Sequence, residues 1–146
     1  MIGLRILSVI PPLTAIAVVA QGAIAGPKLP SDCALKFADP ASCSPIIACL
    51  GETGVYFTGR AIGWDQGTHA GRSSAGFSCY GAWRGSGNLG LGEATIDCDN
   101  GLTGMAYFLS QDPTTGTAVG LGRISTGHSF RVWSGQSVDQ FLISEH

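Results

Sequence analysis

The chain has 146 residues, with eight basic side chains against ten acidic ones and a charged fraction of only 12%. That length suits one domain with a core of its own. The basic residues are scattered and the balance is mildly acidic, which excludes the clustered basic face that a nucleic-acid partner needs.

Residues 1–25 combine one early charge at Arg5, a charge-free apolar run from Ile6 to Ala20 and a small-residue end reading A-x-A. That order predicts a secretory signal peptide cleaved after Ala25. The apolar run is shorter than the roughly 20 residues of a spanning helix and contains Pro11-Pro12. No later stretch is long enough to cross a membrane, so no span is expected after cleavage. A secreted or periplasmic location follows, and with it an oxidising environment.

The mature part carries Cys33, Cys43, Cys49, Cys79 and Cys98. The chain has no C-x-x-C, which removes the usual zinc-knuckle and thioredoxin-type readings. Residues 26–45 are rich in Pro, Ser and Asp and predict an irregular arm pinned by two of Cys33, Cys43 and Cys49. From Ile46 to the end the chain predicts one β domain. Its strands are Val55–Ile62, Ala75–Trp83, Glu93–Asp97, Gly104–Leu109, Thr117–Ile124 and His128–Trp133, with turns at short intervals. Trp83 and Trp133 fall within strand patterns and are expected in the core. Reflection about a turn near Gly87–Gly90 places Cys79 opposite Cys98, a separation that a disulfide bridges. A shift of register by one residue forbids that bond, and Cys49 is then the rival partner. Ser137–Ile143 predicts a short terminal helix with Ser137 as its N-cap.

The expected architecture is therefore all-β: an antiparallel meander of about six strands, strongly twisted or partly closed. Glycines recur along it at intervals of about 22 to 26 residues. The clearest unit runs from Cys79-Tyr80-Gly81-Ala82-Trp83 through Gly90-Leu91-Gly92 to Asp99-Asn100-Gly101. It resembles a MORN repeat, and poorer copies extend the resemblance over residues 57–127. The resemblance implies stacked β-hairpins and a scaffolding role at a protein or lipid surface. A glycine-rich meander without that kinship gives the same strands and turns.

Catalytic and metal-binding signals are sparse. His69 and Asp65 lie in one predicted loop and are the residues an acid–base hydrolase would use. Asp97, Asp99 and Asn100 bracket Cys98, but Asp-Asn-Gly is a turn former and lacks calcium-loop spacing. No catalytic residue, metal or cofactor is assigned. Three functions stay open. The first is a non-catalytic interaction or envelope-structure domain with a protein or envelope-surface partner. The second is a ligand-binding or inhibitor module with an aromatic patch near Trp64. The third is a small hydrolase using His69 and Asp65. An exposed aromatic patch favours binding, and a cleft joining His, carboxylate and Ser favours the enzyme.

N-terminal sequencing of the exported protein is expected to begin at Gly26. An intact Met1 in the processed product contradicts the signal-peptide reading.

Overall fold

A computed structural model describes residues 28–85, 92–111 and 117–139. The signal-peptide assignment lies outside them. Eight strands run in sequence order: β1 (Cys43–Leu50), β2 (Val55–Gly63), β3 (Gln66–Ser73), β4 (Ser78–Gly85), β5 (Gly92–Cys98), β6 (Thr103–Gln111), β7 (Ala118–Ile124) and β8 (Ser129–Ser134). Each pairs antiparallel with the next, and β8 returns to β1, so the meander closes into a barrel. The expectation of six strands and partial closure is corrected on both counts. The two added strands are β1, which begins inside the segment expected to be an irregular arm, and β3, which occupies the expected loop around His69.

Alternation follows the register around the whole circuit. Ile46, Ala48, Phe57, Ala61, His69, Cys79, Ala94, Ala106, Phe130 and Val132 are buried on the inner face. Thr58, Arg60, Gln66, Thr68, Arg72 and Arg84 alternate with inward residues and face outward. On β2–β4 the outer face is thus largely polar, whereas β6 and β7 turn Met105, Tyr107, Leu109 and Leu121 outward. One circuit of the register advances by about eight residues, the geometry of a narrow eight-stranded barrel.

Such an interior has little width, and glycine supplies the space. The Phe57 ring lies over Gly71, and the Phe130 ring over Gly122. At each place an aromatic ring on one strand occupies the volume that a side chain on a nearby strand would need. A Cβ at Gly71 would lie 2.6 Å from Phe57 Cζ.

The three tight turns β3–β4, β5–β6 and β7–β8 are built alike. Gly76, Gly101 and Gly127 take φ values of 97°, 83° and 90°, which favour glycine. Each donates its N–H three residues back, at 2.8–3.0 Å. Just before them, Ser74, Asp99 and Ser125 accept with their side chains from Tyr56, Ser78 and Thr103 N–H at 3.1–3.2 Å. Asp99 thus ties one hairpin to its neighbour.

Leu50, Phe77, Ile96, Ile124 and the Cys79–Cys98 disulfide pack into this end. The two cysteines are directly opposed across β4 and β5, with Cα atoms 4.0 Å apart. A second disulfide joins Cys33 to Cys43 and ties the arm to the start of β1, while Cys49 belongs to neither bridge. The arm is also held by Asp32, whose carboxylate accepts two bonds from Arg60 at 3.0 and 3.2 Å. That guanidinium holds the exposed carboxyl below its ordinary pKa.

The helix expected over Ser137–Ile143 is not matched. The chain leaves β8 through Gly135 at φ 139°, Gln136 Nε2 donates to Cys43 O at 3.0 Å, and residues 136–138 form a turn, with Asp139 the one helical residue described after it. Residues 140–143 lie outside the described part. Val138 in this turn packs on Ile47 and Trp133 in a second cluster outside the barrel wall. Trp133 is therefore buried on the outer side of β8, whereas Trp83 is half-buried inside.

Trp133→Ala is expected to cost about 3–5 kcal/mol by denaturant titration. A loss below about 1 kcal/mol means the outer cluster contributes little. Gly122→Ala is expected to cost about 1–3 kcal/mol through its clash with Phe130. Phe130→Leu in the same chain should recover part of that loss, and strict additivity contradicts the ring-over-glycine packing.

Candidate functional site

The inner wall of the barrel encloses a cavity of about 260 Å³. Eight-stranded barrels are either filled by their side chains or hold one small ligand. Here Ala48, Ala61, Ala94, Ala106 and Ala118, with Gly85 and Gly92, line positions that larger residues would fill. Ile46, Phe57, Ile96, Phe108, Phe130 and Val132 complete an apolar wall, with the Trp83 side chain among them. At about 30 Å³ per atom, as in liquid water, the space suits on the order of ten non-hydrogen atoms.

Polar groups concentrate at one end, where strands β1, β4, β6 and β8 begin or finish. Ser44, Arg84, Gln111 and Ser134 stand there, together with Asp65 from the β2–β3 turn. Arg84 Nε donates to Glu93 Oε1 at 2.7 Å across the β4–β5 pair. The arm crosses this end and places Leu35 and Phe37 in the cavity lining. Phe37 meets the Trp64 ring edge to face, with centroids 4.8 Å apart, although Phe37 remains 86% exposed. Trp64 thus stands at the rim of an internal cavity. Trp83 lines the same cavity, whereas Tyr80 and Tyr107 project outward from β4 and β6.

His69 lies deeper. It lines both the main cavity and a void of about 40 Å³ below it, at the disulfide end. Its Nε2 is 2.7 Å from Thr95 O, and a carbonyl only accepts, so Nε2 carries the hydrogen. This bond reaches across β4, where Gly81 leaves it room; a Cβ at Gly81 would lie 2.6 Å from His69 Nε2. It also supports a weak place in the sheet. The ladder between β4 and β5 lapses at Gly81 and Ala82, and Ala82 N–H turns to Thr95 Oγ1 at 3.4 Å.

Burial lowers the His69 pKa, and the bond to Thr95 O opposes that only in part. At neutral pH the imidazole is uncharged. His69 and Asp65 both line the cavity, but among the described residues no hydrogen bond joins them. Asp65 is exposed in its turn, and its backbone O accepts from Gly85 N–H at 2.8 Å. The one fully shielded side-chain polar atom without a partner is Trp83 Nε1, among the described residues. The described residues hold no group of three or more His, Cys, Asp or Glu arranged for a metal ion. None of their helices is long and apolar enough to cross a membrane.

A lowered folded-state pKa means that the unfolded chain binds the His69 proton more readily. Stability is then whole above about pH 6.5 and declines as pH falls below it. Urea unfolding between pH 5 and 8 should show this decline, and His69→Gln should flatten it. Equal pH slopes for the two proteins contradict the assignment.

No protein-family model matches this chain, and no curated protein or solved structure matches it.

Proposed function

We propose that this chain is a secreted or periplasmic binding barrel that holds one small apolar molecule in its interior and carries out no reaction on it. The observation that supports this reading is the 260 Å³ cavity walled by Ala, Phe, Ile and Val inside a closed sheet. Burying most of a ligand against such a wall, with a few polar groups to orient it, is how small-molecule sites obtain affinity. The two disulfides are compatible with an extracellular or periplasmic location. A hydrolase has less support, because the His69 N–H is committed to a backbone carbonyl and no carboxylate orients the ring.

A second reading, interaction with a protein or envelope surface, is favoured by a different observation. Met105, Tyr107, Leu109 and Leu121 are exposed on the outer face of β6 and β7, where Tyr107 pairs with Leu121. The scaffolding role implied by the MORN-like resemblance belongs to this reading.

Naphthalene, with about ten carbons, matches the estimated capacity. It is expected to raise the melting temperature with increasing concentration and to bind with Kd below about 1 mM. Ala94→Leu fills the cavity from β5 and should abolish the effect while the barrel stays folded. Unchanged naphthalene binding in folded Ala94→Leu contradicts the internal site.

A further inference from the structure

Resting on the binding-barrel reading, the geometry points to a more definite ligand class. We infer that the cavity takes a small uncharged apolar molecule with one hydrogen-bond donor, a phenol or alcohol, whose O–H is accepted by His69 Nδ1.

The tautomer comes from Thr95. Because Nε2–H is spent on Thr95 O, Nδ1 of the neutral ring carries a lone pair. Nδ1 has no partner among the described residues, and it is absent from the fully shielded unpaired atoms, which comprise Trp83 Nε1 alone. His69 faces inward, so the space that Nδ1 meets is the interior. The void beneath it, about 40 Å³, has room for roughly one hydroxyl-sized group.

Charge is selected against by the same surroundings. The charged lining residues, Asp65 and Arg84, are at the rim, and Arg84 is paired with Glu93. A carboxylate carried down to His69 would lose its hydration with no cation to meet it. A hydrocarbon fits the wall but leaves Nδ1 unpaired. An acceptor-only ligand meets the lone pair of Nδ1 with another lone pair, and Trp83 Nε1–H is shielded from it. A neutral donor is the chemistry that remains.

The test uses 4-propylphenol and its near-isostere 4-propyltoluene on the full mature chain. Binding is followed by calorimetry, and the His69 ring nitrogens by ¹⁵N NMR. Saturation with 4-propylphenol should shift the Nδ1 resonance, and saturation with 4-propyltoluene should leave it in place. In His69→Phe the preference for the phenol over the toluene should fall roughly 2- to 10-fold relative to wild type, the worth of one neutral hydrogen bond. Should that variant fail to fold, the wild-type resonance decides. If both probes bind and Nδ1 stays still, or moves equally with both, the inference is overturned and the binding barrel stands. If neither probe binds, both are overturned.

Discussion

Closure of eight antiparallel strands into a narrow tube is the constraint on which the rest of this molecule depends. A tube of this width has room for small side chains at most inward positions and for a few large ones that must be placed in relation to them. Phe57 lies over Gly71 and Phe130 over Gly122, so rings from some strands cover bare backbone on others. The alanines at 48, 61, 94, 106 and 118 then mark where no ring arrives, and there the cavity remains. The glycine content that makes the chain look loose in composition is what lets the barrel close.

The two ends of the tube are treated differently, and the difference gives the interior a direction. At one end the tight turns, the Cys79–Cys98 bridge and the side chains of Leu50, Phe77 and Ile124 narrow the bore to a void of about 40 Å³. At the other, Ser, Gln, Arg and Asp side chains stand at the strand ends, and the arm lays Leu35 and Phe37 beside Trp64. The arm reaches that position because Cys33–Cys43 and Asp32–Arg60 hold its base against β1 and β2. Between the ends, His69 is the polar side chain deepest in the bore, and Gly81 clears the path for its bond to Thr95.

Much of this was legible in the chain, and the failures have physical causes. The all-β meander and the positions of β2 and β4–β8 follow from short aromatic and β-branched runs between turn residues. β3 escaped because its inward residues are Gly67, His69, Gly71 and Ser73, which give no apolar alternation. A strand facing a narrow bore across from Phe57 has to be small on that side, so its pattern is missing for the reason that the barrel works. β1 escaped because Pro45 and the flanking Ser residues read as a continuation of the arm. The tryptophans both read as core, yet closure puts Trp133 on the outer wall under Val138 and Trp83 on the inner one. A cavity has no residue of its own and emerges only once the register is known. Trp64 and His69 were singled out from the sequence, but nothing there placed both on one interior space.

The central claim is that the interior, and not the outer apolar face of β6 and β7, is the binding surface. Nuclear Overhauser effects between bound naphthalene and assigned methyl groups test it most directly. The account predicts cross-peaks to the inward methyls of Ala94, Ala106, Ile46 and Val132. Cross-peaks confined to Met105 and Leu121 on the outer face would contradict it.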